Sequence, residues 1–173
     1  MTGPKKILLC GFMGAGKTFL MKHWTAKCAP YICLDLDEEL YKRHGSGHVS
    51  VGSFLRAIGE KKFRKVEQET LEELLASPEQ MVIALGGGAL TEENVERWNR
   101  DSKILLIWVK VPLEICLERA RKSSEDRPLL SHDHATIDQL FTSRTRLYSK
   151  ARKVLENAGK PVEWKQIFRE IMN

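Results

Sequence analysis

The feature that most constrains the fold of this chain is an eight-residue motif near the N-terminus. Residues 11–18 read Gly-Phe-Met-Gly-Ala-Gly-Lys-Thr, which is the complete G-x-x-x-x-G-K-[ST] pattern. The apolar run at 7–10 predicts a buried strand before the motif, and residues 17–29 predict a helix after it. A tight glycine turn would explain the glycines but not the Lys-Thr pair. The strand, the motif and the helix together predict a phosphate-binding loop.

The residue types in this loop suit a nucleoside triphosphate with magnesium. Glycines let successive backbone N–H groups turn toward the phosphates, and the helix N-terminus adds positive potential. Lys17 would contact the β- and γ-phosphate oxygens, and the Thr18 hydroxyl would ligate Mg²⁺. We therefore expect ATP and Mg²⁺ to bind at Gly14, Ala15, Gly16, Lys17, Thr18 and Phe19.

Apolar runs alternate with amphipathic helical stretches along the rest of the chain. Further strands are predicted at 31–34, 81–85, 104–109 and, more weakly, 154–155. Helices are predicted at 37–44, 51–57, 61–76, 92–99, 113–121 and 137–151, and a closing helix at 162–172. This alternation favours an α/β fold in which helices cover both faces of a parallel sheet.

The length of the chain favours a single domain, since 173 residues can bury one core. We therefore assign residues 1–173 to one domain with no internal linker. The polar segment 122–134 has no sustained periodicity, and it is predicted to be a mobile loop.

The composition limits the location and the partners of the protein. No apolar run approaches the roughly 18 residues of a membrane span, and the N-terminus lacks the pattern of a signal peptide. The four cysteines show no metal-binding spacing and are expected to be reduced thiols. We therefore expect a cytoplasmic protein without membrane contact, and we expect it to be a monomer.

The net charge of +5 raises the question of an anionic partner. No run of consecutive Lys and Arg exceeds two residues, which argues against nucleic acid. A small anionic molecule fits this pattern better.

Two carboxylates follow the second predicted strand. Ligands in open parallel sheets collect beyond the carboxyl ends of the strands, so Asp35 and Asp37 are expected beside the phosphate loop. One could hold the magnesium shell while the other accepts a proton from an attacking hydroxyl. Alternatively, Asp37 could only cap and charge the N-terminus of the following helix.

Three arginines and a triple glycine are the other candidate binding groups. Arg64, Arg127 and Arg144 have the planar fork that suits carboxylates and phosphates, although each alone could be a solvated surface charge. The triple glycine at 86–88 closes the third predicted strand, where its backbone could approach a bound hydroxyl or phosphate. A sharp turn is the simpler explanation for these glycines, but three are more than a turn needs.

Taken in order, these segments resemble the shikimate kinase family over nearly the whole chain. The phosphate loop is shared with many nucleotide-binding proteins, whereas the other segments are more specific. They are Asp-Leu-Asp at 35–37, Gly-Glu at 59–60 leading to Phe-Arg-Lys-Val-Glu at 63–67, Ala-Leu-Gly-Gly-Gly-Ala at 84–89, Arg-Pro-Leu-Leu at 127–130, and Arg144 before Leu-Tyr at 147–148.

The resemblance implies a fold and a reaction. The fold would be three-layered α/β/α with a five-stranded parallel sheet, a P-loop kinase similar to the nucleoside monophosphate kinases, with a mobile lid at about 122–134. The reaction would transfer the terminal phosphoryl group of ATP to the 3-hydroxyl of shikimate, a step of aromatic amino-acid biosynthesis.

The resemblance also implies residue roles. Lys17, Asp37 and Arg127 would be catalytic, with Arg127 on the lid reaching both the substrate and the phosphates. Thr18 and Asp35 would lie at the metal. Shikimate would be bound by Asp37, Arg64, Gly86, Gly87, Gly88 and Arg144.

Several points stay open at the level of sequence. The family usually has proline where Arg146 stands, so either Arg144 or Arg146 could hold the substrate carboxylate. Arg119 and Arg121 are both candidates for packing on adenine. The alternative functions are another small P-loop kinase, such as a gluconate kinase, or a nucleotide-binding homologue without catalytic activity.

Overall fold

Five parallel strands form the centre of the fold. A computed structural model of the chain describes residues 3–25, 30–123 and 128–157. In it the strands are β1 (Lys6–Cys10), β2 (Ile32–Asp35), β3 (Met81–Ala84), β4 (Ile104–Lys110) and β5 (Lys153–Glu156). They form one sheet in the order β2-β3-β1-β4-β5. The predicted five-stranded parallel sheet is therefore confirmed.

Helices connect the strands and cover the sheet on both faces. They are α1 (Lys17–Thr25), α2 (Leu36–His44), α3 (Val51–Ile58), α4 (Glu60–Ala76), α5 (Glu92–Arg100), α6 (Leu113–Lys122) and α7 (His134–Tyr148). The architecture is the predicted three-layer α/β/α. Within the described residues, no helix has both the length and the apolar character that crossing a membrane would need.

The central strand β1 fixes where the functional loops meet. It pairs with β3 from Lys6 opposite Met81, and with β4 from Lys6 opposite Ile104. All five of its residues are buried, and the four that follow Lys6 form a continuous apolar run rather than an alternating one. Because β1, β2 and β3 run in the same direction, the segments that follow them emerge at one edge of the sheet.

A second, smaller hydrophobic cluster supports the helices beyond β2. Leu40, Phe54 and Phe63, from α2, α3 and α4, are buried together and apart from the main core. The rings of Phe54 and Phe63 have centroids 6.0 Å apart. This cluster holds α4, which carries Arg64, in a fixed position relative to α2, which carries Asp37.

The described residues of the region 122–134 have more regular structure than the predicted loop. α6 continues to Lys122, Pro128–Ser131 forms a 3₁₀ turn, and α7 begins at His134 rather than at the predicted residue 137. The earlier start follows from Asp133, whose carboxylate accepts a hydrogen bond of 2.8 Å from the backbone N–H of Thr136.

Some predicted features lie outside the described residues. They are Arg127 with the middle of the lid, and the closing helix at 162–172. These stay predictions.

A buried lysine braces the start of β1. The Lys6 side chain is 3% exposed, and its ammonium donates to the backbone oxygens of Ser77 (3.0 Å) and Glu79 (2.6 Å), just beyond the end of α4. Burial lowers the pKa of Lys6, while the Glu79 carboxylate opposes that shift. The lysine thus satisfies carbonyls that the helix leaves without partners.

We expect Lys6→Met to lower the free energy of unfolding by about 1–3 kcal/mol, because two backbone carbonyls lose a charged donor. Urea denaturation followed by circular dichroism measures the change. Lys5→Met is the matched control, since Lys5 is exposed. Equal stability of the two variants would show that the brace contributes nothing.

Candidate functional site

The phosphate-binding loop takes a backbone shape that its glycines make possible. Gly14 and Gly16 have positive φ angles of 73° and 88°. A Cβ atom on Gly14 would lie 2.1 Å from the backbone oxygen of Cys116 in α6, so any side chain there would collide with main chain. The loop is therefore pressed against α6 in a form that only glycine permits at this position.

The Lys17 and Thr18 side chains lie where the motif predicts them. The Lys17 ammonium donates to the backbone oxygens of Gly11 (2.8 Å) and Phe12 (3.0 Å), which folds the side chain over the loop. The Thr18 hydroxyl donates to Asp35 Oδ2 at 2.6 Å. One hydroxyl and one carboxylate oxygen thus lie side by side at the start of α1.

This oxygen pair has the chemistry of a magnesium site. Mg²⁺ is usually held by one or two protein oxygens, with phosphates and waters completing its shell. No group of three or more His, Cys, Asp or Glu residues that could hold a metal occurs among the described residues. Thr18 and Asp35 therefore fit a metal that arrives with the nucleotide phosphates.

Asp35 and Asp37 have different roles in the structure. Asp35 is the N-cap of α2, because its carboxylate accepts the backbone N–H of Asp37 at 3.0 Å. The sequence-based alternative gave the capping role to Asp37, and that interpretation is wrong. The Asp37 side chain instead faces the triple glycine, since a Cβ atom on Gly86 would lie 2.9 Å from Asp37 Oδ1.

A fully buried carboxylate lies beside Asp37 and was not selected as a site residue from the sequence. Glu67 is 0% exposed, and its Oε2 accepts a hydrogen bond of 2.8 Å from Arg64 Nη1. Its other oxygen, Oε1, has no hydrogen-bond partner among the described residues and lies 2.7 Å from the Cβ position of Gly86. The three-residue spacing from Arg64 on one helix was the available sequence indication.

The proximity of these carboxylates changes their proton affinity. Burial raises the pKa of Asp37 to about 7, and the negative charges of Asp35 and Glu67 add to the shift against the opposing effect of Lys17 and Arg64. Burial also raises the pKa of Glu67, although Arg64 opposes this. The pKa of Asp37 therefore lies near neutral pH, which is the range that suits a general base.

Two arginines converge on the triple glycine. A Cβ atom on Gly88 would lie 2.6 Å from Arg64 Nη2 and 3.0 Å from Arg144 Nη2. A Cβ atom on Gly87 would lie 3.1 Å from Arg144 Nη1. Burial lowers the pKa of Arg144, and the neighbouring Arg64 adds to that effect while Tyr148 opposes it. Two guanidinium groups so close together form a receptor for an anion.

The structure shows which arginine of each undecided pair faces the cleft. Arg144 is partly buried and lines the cleft, whereas Arg146 is exposed. Arg119 lies at the phosphate loop, with Nη1 4.0 Å from the Cβ position of Gly16, whereas Arg121 is exposed. Arg144 and Arg119 are therefore the residues of each pair that face the site.

Asn157, just after β5, is a further residue at the nucleotide end that was not selected from the sequence. Its side-chain amide donates to the backbone oxygen of Ala15 at 2.9 Å. It lies outside every recognisable motif, and only the pairing of β5 with β4 brings it there.

One continuous cleft joins all these groups. Its lining includes the phosphate loop, Asp35, Asp37, Arg64, Glu67, the triple glycine, Arg119, Arg144 and Asn157. One face of α7 and the 3₁₀ turn close its far side, through residues such as Leu129 and Ser143. Of the predicted site residues, Ala15 is buried beneath the loop, and Arg127 lies outside the described residues.

Known proteins resemble this chain in sequence and in structure. A family model described as shikimate kinase matches residues 13–173. A shikimate kinase of Persephonella marina is 32% identical over 97% of this chain and 97% of its own length.

Two solved structures superpose on nearly the whole chain. Shikimate kinase from Bacteroides thetaiotaomicron has a TM-score of 0.79 at 28% identity, over 95% of this chain and 96% of its own. Shikimate kinase from Acinetobacter baumannii in complex with shikimate has a TM-score of 0.78 at 28% identity, over 96% of this chain and 89% of its own.

The raised pKa of Asp37 predicts a pH-dependent cost to stability. Between the unfolded value near pH 4 and the folded value near pH 7, the folded state binds more protons than the unfolded state, so stability falls as pH rises. We expect Asp37→Asn to raise the melting temperature at pH 8, and the gain to disappear as pH falls toward 4.

Thermal unfolding of the nucleotide-free protein at several pH values measures this effect. Asp138→Asn is the control, because Asp138 is exposed on α7. A difference between wild type and Asp37→Asn that did not change with pH would contradict the prediction.

Proposed function

This chain belongs to the shikimate kinase family, and from that premise we propose how its own residues carry out the reaction. The reaction transfers the γ-phosphoryl group of ATP to the 3-hydroxyl of shikimate and yields shikimate 3-phosphate and ADP. The observation that carries the assignment of roles is the convergence of Arg64 and Arg144 on the triple glycine, beside Asp37. It supports the proposal because these residues line the same cleft as the phosphate loop.

The acceptor is held by its carboxylate and its hydroxyls. Arg64 and Arg144 bind the carboxylate through charge-assisted hydrogen bonds, which fixes the orientation of the ring. The glycines at 86–88 leave this space free, because a side chain at Gly88 would meet both guanidinium groups. Glu67 holds the Arg64 guanidinium in place through its 2.8 Å hydrogen bond.

The nucleotide is held at the other end of the cleft. Lys17 leaves its contacts with the loop carbonyls and neutralises the transferring phosphoryl oxygens. Thr18 and Asp35 would hold Mg²⁺, which would supply charge neutralisation at the phosphates when bound. Arg119 and Asn157 lie at the loop where the base of the nucleotide is expected.

Asp37 receives the proton of the attacking hydroxyl. As the oxygen of the acceptor bonds to the γ-phosphorus, its proton moves to the Asp37 carboxylate, and the bond to ADP breaks. A pKa near 7 lets a carboxylate accept that proton better than one at the ordinary value of aspartate. The rest of catalysis is positioning and charge neutralisation.

We propose that Arg127 completes the site. It lies outside the described residues, directly before the 3₁₀ turn whose Leu129 lines the cleft. Closure of the segment around it would exclude water, which otherwise competes with the acceptor hydroxyl. We further propose that the protein acts as a cytoplasmic monomer that binds neither nucleic acid nor membranes.

The first test is ADP release from MgATP with shikimate, gluconate, quinate or no acceptor. We expect turnover that depends on shikimate. Turnover with gluconate alone would keep the fold and overturn the acceptor. Tight ATP binding without any turnover would favour a non-catalytic homologue.

Arg144→Ala is expected to raise the KM for shikimate about ten- to hundred-fold, because one charge-assisted contact contributes about 1.5–3 kcal/mol. Arg146→Ala is the matched control, since this arginine lies two residues away on the same helix and is exposed. Steady-state kinetics compares the two. A larger loss in Arg146→Ala would reassign the carboxylate contact.

A further inference from the structure

A pair of amide side chains holds the end of the triple-glycine loop. Gln68 Nε2 donates to the backbone oxygen of Ala89 at 2.6 Å, and Asn94 Nδ2 donates to the same oxygen at 3.1 Å. Asn94 Nδ2 also lies 3.3 Å from Gln68 Oε1, so the two amides contact each other. Two donors from different helices therefore fix one carbonyl, and we call this arrangement the amide clamp.

The loop that the clamp holds cannot fix its own position. Residues 86–88 carry no side chains with which to pack, and glycine has the greatest backbone freedom of any residue. Within the loop the backbone N–H of Ala89 donates to Gly86 O at 3.1 Å. From outside, the Tyr148 hydroxyl donates to Gly87 O. The position of the loop therefore depends on hydrogen bonds from surrounding side chains.

Small displacements of this loop matter for the anion receptor. The Cβ position of Gly88 is already within about 3 Å of both guanidinium groups, as described above. Gly88 is bonded directly to Ala89, the residue that the clamp holds. A shift of the Ala89 carbonyl would therefore change the space between the glycines and the two arginines.

The clamp connects the loop to the helix that presents Arg64. Gln68 follows Glu67 on α4, one turn after Arg64, and Asn94 lies in the first turn of α5. Gln68 is partly buried and Asn94 is 5% exposed, and neither lines the cleft. Both therefore act on the substrate only through the loop.

We propose that Gln68 and Asn94 are positioning residues that set the separation between the triple glycine and Arg64, and thereby the affinity for the carboxylate of the acceptor. This inference rests on the proposed binding of that carboxylate by Arg64 and Arg144. Neither amide is hydrogen-bonded to the phosphate loop, so we expect ATP binding to be independent of the clamp.

Asn94→Asp separates the clamp from the helix cap. Asn94 Oδ1 accepts the backbone N–H of Thr91 at 2.8 Å, and an aspartate keeps that acceptor. It loses the donor to Ala89 and places an oxygen against the Ala89 carbonyl instead. We expect the KM for shikimate to rise about tenfold, with the KM for ATP unchanged.

Gln68→Met is the second variant, and it decides the question if Asn94→Asp does not fold. It keeps the length of the side chain and removes the amide. We expect the same selective rise in the KM for shikimate. Because both amides bind one carbonyl, the rise in the KM for shikimate in the double variant should be smaller than the product of the two single-variant rises.

Asn99→Asp is the matched control on the same helix. Asn99 also donates to a backbone oxygen, that of Lys150 at 2.8 Å, at the opposite end of α5 from the clamp. We expect no change in the KM for shikimate, whatever the effect on the melting temperature.

The possible results separate the clamp from the proposed function. Wild-type protein without shikimate-dependent turnover would overturn the proposed function itself. Shikimate-dependent turnover in the wild type, with variants whose KM for shikimate is unchanged or rises in parallel with that for ATP, would overturn the clamp alone. A lower melting temperature without a selective change in KM would show that the amides are only structural.

Discussion

The ion pair between Arg64 and Glu67 is the interaction on which the acceptor half of the site depends. A fully buried carboxylate is costly unless it is paired, and removing one partner of such a pair is more costly than the pair itself is worth. Glu67 is therefore better understood as a support for Arg64 than as a source of stability. Its negative charge also contributes to the raised pKa of Asp37. One buried side chain thus affects both the arginine proposed to bind the acceptor carboxylate and the aspartate proposed as the general base.

The nucleotide half of the site depends on the two hydrogen bonds of Asp35. Asp35 caps α2 with one carboxylate oxygen and accepts the Thr18 hydroxyl with the other. It therefore ties the first helix turn after the phosphate loop to the helix that carries Asp37. The proposed metal position and the proposed general base are connected through a single residue. The parallel sheet makes this possible, since β1 and β2 deliver their following segments to the same edge.

The sequence predicted the features that depend on local patterns and missed those that depend on packing. The phosphate loop and the strands follow from apolar runs and glycine spacing. Glu67 and Gln68 were missed because a polar residue in a helix is normally solvated, and only the contact of α4 with the glycine loop buries Glu67. The sequence did not decide whether Arg144 or Arg146 faces the cleft. Residues two apart in a helix lie on nearly opposite faces, so only one of them can do so. The sequence does not show which face of α7 meets the cleft, and the structure has Arg144 on that face.

The pairing of β1 has a consequence for synthesis of the chain on the ribosome. β1 and the phosphate loop are translated well before the neighbours of β1, which begin only at Met81 and Ile104. Such long-range pairing closes large loops of chain and is slow. One edge of β1 therefore stays without its partner until Ala84 has been made, and the other until Lys110 has been made. The phosphate loop is thus made long before the two strands that fix its position in the sheet.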